Sequence, residues 1–205
     1  MPIDATSQAA VVLLAAGGST RMGRPKQLLP FAGRSLVRRA AEAAIDSGCS
    51  PAVVVLGAHA DALRPELHGL PVDVLMNDAW HRGIGTSIRC AIAHLLAMPN
   101  VPPAALLMLC DQPLVTADVL CRLVIAHAQS GKPVTVSAYN DTLGPPVIVA
   151  REYFPALLDL PDAQGAKRLW LDHPLIINPM PCTEAAMDVD SPADYGKLLA
   201  NAVEC

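Results

Sequence analysis

The chain has few of the residues on which nucleic-acid binding normally depends. Among its 205 residues there are only two Phe, three Tyr and two Trp, too few to form a platform on which bases stack. Its formal net charge is -4, so no broad basic face is available to neutralise a phosphate backbone. We therefore expect no nucleic-acid partner, and any phosphate chemistry must be confined to a local site.

The sequence also lacks a long apolar run, although 52% of its residues are hydrophobic. Runs such as Ala9–Ala16 and Ala104–Leu109 are too short to cross the roughly 30 Å of hydrocarbon in a bilayer. The N-terminal Met1–Asp4 has no basic segment of the kind that opens a signal peptide. We expect no membrane segment and a cytoplasmic location.

The cysteines are spaced unlike those of metal or redox motifs. No two of them form a CxxC pair, and most lie in apolar segments, where cysteine behaves as a small hydrophobic residue. The sequence has neither the HExxH pattern of zinc proteases nor the Gly-x-Ser-x-Gly turn of α/β-hydrolases. We expect reduced, structural thiols at all six positions: Cys49, Cys90, Cys110, Cys121, Cys182 and Cys205.

Short apolar, β-branched runs alternate along the chain with amphipathic stretches. This alternation is typical of parallel strands joined by helices that cover both faces of a sheet. It predicts an α/β three-layer sandwich with a mostly parallel sheet, in a single domain of residues 1–205. The predicted strands are Ala9–Ala15, Ala52–Leu56, Val72–Met76, Ala104–Leu109, Val134–Ala138 and Val147–Ala150.

Helices are predicted between these strands, and two of them carry terminal signals. Ser35 suits the N-cap and Gly48 the C′ position of the first helix. Ser191 followed by Pro192 is a start signal for the last helix. The other predicted helices lie near Asp61–Leu67, Ser87–Ala97, Ala117–Gln129, Glu152–Leu158 and Gly165–Leu171.

The segment 14–27 carries the strongest chemical signal. It leaves a buried strand, turns through Gly17 and Gly18, and then supplies Arg21 and Lys26. Glycine amides can approach phosphate oxygens, arginine binds phosphate in a bidentate manner, and lysine acts as a mobile point charge. Open α/β sheets also bind ligands at the carboxyl ends of their strands. The segment therefore predicts a loop that wraps a triphosphate.

Two known phosphate-binding patterns do not fit this segment. A Walker loop requires Gly-Lys-Ser/Thr at the start of a helix, whereas Lys26 lies between Pro25 and Gln27. The dinucleotide fingerprint requires a glycine spacing that is absent here. The alternative interpretation is a surface loop with solvated cations.

Acidic residues at two later points suit a magnesium site. Asp111 follows the predicted strand Ala104–Leu109, so its carboxylate should lie on the same edge of the sheet as the glycine loop. Asp188 and Asp190 share a face if their segment is extended. Mg2+ usually takes one or two carboxylates together with substrate phosphates and water. We assign the metal to Asp111 and Asp190; the alternatives are that Asp111 caps a turn and that the other two merely precede a helix.

A second glycine-containing segment, Gly83–Ser87, precedes an amphipathic helix. Amides at a helix N-terminus attract anions, and the hydroxyls of Thr86 and Ser87 can reach a ribose or a base edge. An ordinary helix cap is the alternative interpretation. We assign Gly85, Thr86 and Ser87 to the nucleotide.

Taken in order, these segments resemble the motifs of the molybdenum cofactor cytidylyltransferase family. Residues 14–26 are similar to its signature Leu-Ala-Ala-Gly-x-x-x-Arg-Met-Gly-x-x-Lys, and Asn77–Ser87 resembles its second nucleotide loop. Cys110–Leu114 resembles its metal-aspartate motif, and Asp188–Tyr195 its C-terminal acidic motif. Methylerythritol-phosphate cytidylyltransferases share the signature more loosely, but the Gln-Pro after Asp111 favours the molybdopterin branch. The similarity covers nearly the whole chain.

The resemblance implies a Rossmann-like fold of the nucleotide-diphospho-sugar transferase type, with Mg2+ as cofactor. It implies transfer of CMP from CTP to the phosphate of Mo-molybdopterin, with release of pyrophosphate and a molybdenum hydroxylase as a candidate client. The catalytic candidates are Arg21, Lys26 and Asp111. The candidate nucleotide-binding residues are Leu14, Ala15, Ala16, Gly17, Gly18, Ser19, Arg21, Lys26, Gly85, Thr86 and Ser87.

The acceptor side departs from the family pattern. The family commonly has Gly-His-Pro where this chain has Gly144-Pro145-Pro146, so one polar group is missing there. Lys167 either binds the acceptor phosphate or is an exposed helix lysine. Two other functions stay open: a cytidylyl- or guanylyltransferase acting on a sugar or polyol phosphate, and a non-catalytic nucleotide-binding chaperone for a molybdenum hydroxylase.

The choice of base is predicted from one position. The related guanylyltransferases have glycine where this chain has Ala16, and the methyl group would occupy space that a purine needs. We therefore expect CTP to be preferred over GTP.

Overall fold

A computed structural model describes residues 9–201, with the side chain of Asp172 excepted. Its centre is a seven-stranded sheet in the order β5-β4-β1-β6-β8-β7-β9. A separate two-stranded hairpin is formed by β2 and β3. The strands are β1 (Ala9–Leu14), β2 (Pro30–Phe31), β3 (Arg34–Ser35), β4 (Ala52–Leu56), β5 (Asp73–Met76), β6 (Ala104–Leu109), β7 (Val134–Tyr139), β8 (Thr142–Ala150) and β9 (Ile177–Pro181).

The sheet is parallel except at β8. Strands β4 and β6 flank β1 in parallel register, so Leu14 pairs with Val55 on one side and Leu109 on the other. Strand β8 runs antiparallel to both β6 and β7, and β9 pairs with β7 in parallel. The strand order reverses between β1 and β6, which is the place where open α/β sheets leave a crevice for ligands.

Helices cover both faces of this sheet. One face packs against α1, α2 and α4, and the other against α3, α5 and α6. The strands between them have apolar residues on both faces, as expected for a sheet buried on two sides. The helices are α1 (Leu36–Asp46), α2 (Ala60–Leu63), α3 (Ile84–Leu96), α4 (Ala117–Ser130), α5 (Phe154–Leu158), α6 (Arg168–Asp172) and α7 (Pro192–Asn201). The prediction of a three-layer α/β sandwich is therefore confirmed.

The predicted ends of α1 are confirmed. The Ser35 hydroxyl accepts a hydrogen bond from the backbone N–H of Arg38 at 3.3 Å. Gly48 has a φ of +75°, the left-handed conformation that favours glycine after a helix. Helix α7 begins at Pro192, as the Ser-Pro signal predicts.

Five predicted elements differ from the structure. Helix α3 begins at Ile84 rather than Ser87, so Gly85 and Thr86 belong to its first turn. Strand β8 begins at Thr142 rather than Val147, because the segment through Pro145 pairs with β7 across an irregular register. The helix predicted over Asp61–Leu67 is divided into α2 and a 3-10 turn over Arg64–Leu67, with Pro65 in the turn. Helix α5 is likewise preceded by a 3-10 turn rather than starting at Glu152, and α6 begins three residues after Gly165.

Strand β9 is missing from the sequence prediction. It contains Pro179 and Pro181, and the prediction treats proline as a loop signal. Proline is tolerated in an edge strand because its missing N–H is not needed there for a second neighbour, and β9 is the last strand of the sheet.

Within 9–201 no helix is long and apolar enough to span a bilayer. None of the five cysteines in this part of the chain forms a disulfide within it. Cys205 and the N-terminal Met1–Asp4 lie outside the described residues.

Candidate nucleotide site

A cavity of about 320 Å³ opens at the carboxyl edge of the sheet, where β1 and β6 end side by side. The register brings Leu14 and Leu109 to the same level, so the loops that follow both strands meet above the switch in strand order. The cavity is lined by Leu14, Ala15, Ala16, Gly17, Gly18, Lys26, Gln27, Trp80, His81, Gly83, Ile84, Ser87, Leu109, Cys110 and Asp111.

The loop after β1 is held in shape by Gln27. This side chain is only 1% exposed, and its Nε2 donates to the carbonyl oxygens of Gly17 at 2.6 Å and Ala15 at 3.3 Å. The Ser19 hydroxyl donates to Gln27 Oε1 at 3.0 Å and accepts from the Lys26 N–H at 3.1 Å. Gln27 and Ser19 thus brace the loop from within, while the backbone of Gly17 and Gly18 lines the cavity.

One wall of the cavity is built by Trp80, which packs against backbone that has no side chain. A Cβ added to Gly57 would lie 2.6 Å from the Trp80 Cβ and 2.9 Å from the Ala16 methyl. A Cβ on Gly18 would lie 3.0 Å from the edge of the indole ring. Glycine is therefore required at Gly57 by close approach, and the indole fixes the spacing between the loops after β1 and β4.

The centre of charge in the site is Lys26. Its Nζ lies 2.5 Å from Asp111 Oδ2 and 2.7 Å from Asp190 Oδ1. The Lys26 and Asp111 side chains are only 13% and 16% exposed, so solvent screens this pair weakly. Asp190 also pairs with Arg21 at 2.7 Å, but Arg21 is 73% exposed. The structure therefore brings together all four charged residues that the sequence assigns to catalysis and metal binding.

The electrostatics of this cluster keep its cation charged. Burial by itself would lower the pKa of Lys26, but the charge of Asp111 and the hydrogen bonds to both carboxylates outweigh it and raise the pKa above its usual range. Burial would raise the pKa of Asp190, yet the hydrogen bond and charge of Lys26 hold it below its usual range. In Asp188, burial and the charges of Asp111 and Asp190 raise the pKa to about 6.

The donor set is compatible with a divalent cation. Oδ1 of Asp111 is buried and has no hydrogen-bond partner among the described residues, an unusual state for a carboxylate oxygen that is normally satisfied. The two carboxylates already share one positive group, Lys26. Hard oxygen ligands of this kind suit Mg2+, which needs few protein ligands when substrate phosphates supply the rest. In the part of the chain that the structure describes, no cluster of three or more His, Cys, Asp and Glu forms a complete metal cage.

The first turn of α3 divides into residues that face the cavity and residues that do not. Ser87 lines the cavity, and Asn77 Nδ2 donates to its hydroxyl at 2.9 Å and to that of Thr86 at 2.8 Å. The Thr86 hydroxyl also donates to the Gly83 carbonyl at 2.7 Å. The Gly85 N–H donates to the Asp162 carbonyl at 2.8 Å. Thr86 and Gly85 therefore tie the start of α3 to neighbouring segments instead of lining the cavity.

A second, smaller cavity of about 120 Å³ adjoins the first. The two share Leu14, Ile84 and Leu109 in their walls. The second extends along β8 past Gly144 and Pro145 toward α6. Its lining is almost entirely apolar, with the exposed Lys167 as the charged residue in its wall. The acceptor segments singled out in the sequence thus border this cavity.

Three residues that shape the site escape the sequence assignment. Gln27, Asn77 and Trp80 lie inside the quoted motifs, but no polarity or periodicity rule marks a buried amide or a packed indole as functional. For Trp80 the useful signal is Gly57 and Gly18, which lack the side chains that would collide with its indole.

Fold and site together define the class. The chain has the nucleotide-diphospho-sugar transferase fold. This follows from the order of the strands in the sheet, the single antiparallel strand, and a loop of the phosphate-binding type after β1. The family described as "MobA-like NTP transferase domain" matches residues 11–176. The chain belongs to this nucleotidyltransferase family, as the sequence motifs predict.

Similar proteins agree with this membership but carry different names. A protein named nicotine blue oxidoreductase, from Paenarthrobacter nicotinovorans, is 31% identical over 199 residues, which cover 92% of this chain and 95% of that protein. The crystal structure of Rv0371c from Mycobacterium tuberculosis has a TM-score of 0.78 at 30% identity and covers 95% of this chain and 99% of that one. The same protein has been crystallised in complex with manganese, with a TM-score of 0.75, 30% identity and the same coverage.

A more distant structure supports the fold alone. The molybdopterin-guanine dinucleotide biosynthesis protein A of Archaeoglobus fulgidus has a TM-score of 0.69 at 16% identity, over 96% of this chain and 100% of that one.

Members of nucleotidyltransferase families typically depend on a divalent metal, which is consistent with the manganese complex of the M. tuberculosis relative.

Proposed function

We propose that this protein transfers CMP from CTP to the phosphate of Mo-molybdopterin and releases pyrophosphate. The observation that carries the proposal is the cluster of Lys26 with Asp111 and Asp190, which stands at the edge of a cavity walled by glycine backbone. It supplies cationic and metal-binding groups at the place where a triphosphate would lie. The product would serve a molybdenum hydroxylase in the cytoplasm.

Each residue of the site has a defined task in this proposal. The amides of Gly17 and Gly18 would bind phosphate oxygens, and Lys26 and Arg21 would neutralise the triphosphate. Asp111 and Asp190 would hold Mg2+, which when bound neutralises phosphate charge and helps orient the triphosphate. Ser87 and the backbone of Ala15 and Ala16 would face the nucleoside. Rate enhancement would then come from positioning and charge rather than from a covalent intermediate.

The bond changes balance without a protein nucleophile. An oxygen of the acceptor phosphate attacks the α-phosphorus of CTP, the bond from that phosphorus to the bridging oxygen breaks, and pyrophosphate leaves. Cys110 lines the cavity, but burial and the nearby charge of Asp111 raise the pKa of its thiol to about 12. A protonated thiol is a poor nucleophile, so Cys110 has no covalent role in this mechanism.

A second candidate function is favoured by a specific pair of observations. The relative that matches over 92% of this chain is named as an oxidoreductase of nicotine blue, and the apolar cavity beside the nucleotide site would accept a ring of a dye. In this alternative the main cavity would bind a nucleotide that serves as the electron donor. The site carboxylates would then have no part in turnover.

Product analysis separates the two functions. The protein would be incubated with Mg2+, Mo-molybdopterin and each of the four nucleoside triphosphates, and products identified by mass spectrometry with pyrophosphate measured in parallel. We expect molybdopterin cytosine dinucleotide from CTP and none from the Asp111→Asn protein. Oxidation of NADH or NADPH by nicotine blue at equal rates in both proteins, without any dinucleotide, would instead establish the redox function.

A further inference from the structure

A buried amide, that of Gln112, lies next to one of the metal-binding candidates in the chain. Gln112 follows Asp111 directly and is only 3% exposed. Its Nε2 donates to the carbonyl oxygen of Ala185 at 2.9 Å and to that of Pro145 at 3.1 Å. One side chain therefore joins three segments that are far apart in sequence: the loop after β6, strand β8 and the turn that leads to Asp190.

The direction of this amide is determined by its acceptors. With its oxygen and nitrogen exchanged, the Gln112 oxygen would face two carbonyl oxygens at hydrogen-bonding distance, which is repulsive. As the side chain lies, a third and longer contact of 3.5 Å joins Nε2 to the Tyr139 hydroxyl. Oε1 is buried and has no partner among residues 9–201. Gln112 therefore acts only as a donor, and hydrogen bonds from a buried donor fix the relative place of the segments that accept them.

Gln112 acts together with a backbone bond from the same segment. The Val189 N–H donates to the Asp111 carbonyl at 2.9 Å, so the stretch from Ala185 to Val189 is attached at both of its ends to two adjacent residues. Asp190 follows Val189 directly, and its carboxylate contacts the same lysine amine as that of Asp111. The two attachments therefore determine where the second carboxylate lies relative to the first.

This spacing matters for a divalent cation. Mg2+ requires a near-ideal octahedron with ligands at about 2.0–2.1 Å, so a small displacement of one carboxylate takes it away from the metal. Groups that orient metal ligands without touching the metal typically contribute about 10- to 100-fold to metal affinity. Gln112 has the contacts of such a group, because it adjoins one candidate ligand and holds the segment that carries the other.

We propose that Gln112 is a positioning residue of the metal site, and that its bond to the Ala185 carbonyl fixes the distance between the carboxylates of Asp111 and Asp190. The inference rests on the proposed function only in taking these two carboxylates as the metal ligands. The bond to Pro145 attaches the same amide to strand β8 of the central sheet. That attachment gives the constraint a rigid base, which a site of defined geometry requires.

The test compares manganese binding by the wild-type protein, by Gln112→Met and by a matched control, Asn178→Leu. Methionine keeps the length of the side chain and removes its donors. Asn178 also joins separate segments, since its Nδ2 donates to the Ala126 carbonyl at 3.3 Å, and it takes no part in lining the nucleotide cavity. Mn2+ is titrated with and without CTP and followed by electron paramagnetic resonance, well below the Tm of each protein. We expect Gln112→Met to bind Mn2+ about tenfold or more weakly, and the control to match the wild type.

A spectroscopic signature separates positioning from a loss of stability. With the aspartate carboxyl groups labelled with 13C, electron-nuclear double resonance should show Mn2+ coupled to two carboxylates in the wild type and to one in Gln112→Met. Asn178→Leu should keep both couplings even if its Tm falls by as much. If Gln112→Met does not fold, Gln112→Glu provides the same comparison, because a carboxylate keeps the shape of the side chain and has no N–H to donate.

Other results would overturn the inference. Equal manganese affinity of Gln112→Met and the wild type, or two carboxylate couplings in both, would remove the positioning role, and equal weakening in Asn178→Leu would reduce it to an effect of stability. Manganese that binds unchanged to Asp111→Asn, or not at all to the wild type, would refute the metal assignment and the inference with it. The titration needs neither acceptor nor turnover. A protein that shows the expected couplings but makes no dinucleotide would refute the proposed function and retain the role of Gln112.

Discussion

At the scale of single residues, Lys26 occupies the position of a counterion. Its amine lies 2.5 Å from a carboxylate oxygen of Asp111 and 2.7 Å from one of Asp190, and neutralises part of their charge. Two close carboxylates without a cation between them would repel each other. The same lysine is the group proposed to bind the triphosphate, so the phosphates would compete with the two carboxylates for its amine.

Replacing Lys26 is expected to remove transition-state stabilisation. Loss of a charged donor to the developing phosphate charge costs about 2–4 kcal/mol, so Lys26→Ala should lower kcat/KM by roughly 30- to 1,000-fold. Steady-state pyrophosphate release measures the change. The matched control is Lys197→Ala, which removes a lysine that is 71% exposed on α7. A Lys26 variant within tenfold of the wild type would mean that this loop does not hold the triphosphate.

Asp111→Asn is expected to abolish turnover and leave the fold intact. The amide is almost isosteric but lacks the charge that Mg2+ requires, and Lys26 keeps its second carboxylate, Asp190. Manganese binding in the presence of CTP, measured by electron paramagnetic resonance, should be lost together with pyrophosphate release. Near wild-type turnover would place the metal elsewhere.

Ala16 is expected to contribute to the choice of base. It lines the cavity and is 6% exposed, so the space gained in Ala16→Gly would be available to a larger base. A single carbon in a pocket is worth about 1–3 kcal/mol, so the ratio of kcat/KM for CTP over GTP should fall roughly tenfold or more without reversing. Competition between the two nucleotides measures it, and an unchanged ratio would exclude this methyl group as a determinant.

At the scale of elements, the site depends on how closely the loops after β1 and β4 pack on Trp80. A Cβ on Gly57 would overlap Trp80 and Ala16, whereas a Cβ on Gly17 would meet no atom within 4 Å. The two glycines therefore serve different purposes. Gly57 permits packing, and Gly17 exposes backbone to the cavity.

This difference predicts unequal losses of thermal stability for two similar substitutions. Overpacking typically costs about 1–3 kcal/mol, so Gly57→Ala should lower Tm by about 2–12 °C in a chain of this size. Gly17→Ala should leave Tm nearly unchanged. Scanning calorimetry of the two proteins without ligand makes the comparison. If Gly57→Ala were as stable as Gly17→Ala, Trp80 would have to be free to move.

The elements that are predicted well are those whose own residues determine their secondary structure, through an apolar run or helix caps. Strands β4 and β6 match their apolar runs from end to end, and α1 ends where its caps indicate. Strand β9 escapes prediction because its pairing with β7, not its proline-rich sequence, makes it a strand. Tertiary pairing of this kind leaves no local signal.

The candidate site, like the fold, can be predicted from the sequence only in part. The sequence indicates that Asp111 and Lys26 lie at one edge of the sheet, since both follow the ends of buried strands. The inward orientation of Thr86 depends on the buried amide of Asn77, and the role of Gly85 on Asp162, more than seventy residues away. Such contacts depend on how separate segments pack together, so no local sequence pattern contains them.

At the scale of the whole molecule, nucleotide binding should raise stability only when metal is present. A ligand at 100 times its Kd that binds only the folded state adds about 2.7 kcal/mol, which corresponds to about 5–11 °C in Tm for a protein of this length. CTP with Mg2+ should produce this rise, and CTP with EDTA a much smaller one. Calorimetric titration provides the affinities, and equal values under both conditions would remove the metal from the site.

The cluster around Lys26 also links the proposed metal binding to the completion of folding. Lys26 is 85 residues from Asp111 and 164 from Asp190, so the cluster is complete only when three segments far apart along the chain have come together. The Val189 N–H donates to the Asp111 carbonyl at 2.9 Å, so docking of that last segment joins the two carboxylates. A chain that has already paired β1 with β6 would still lack the second carboxylate. Binding of a metal ion through both carboxylates would therefore be detectable only after this last segment has docked, and would report that refolding is complete.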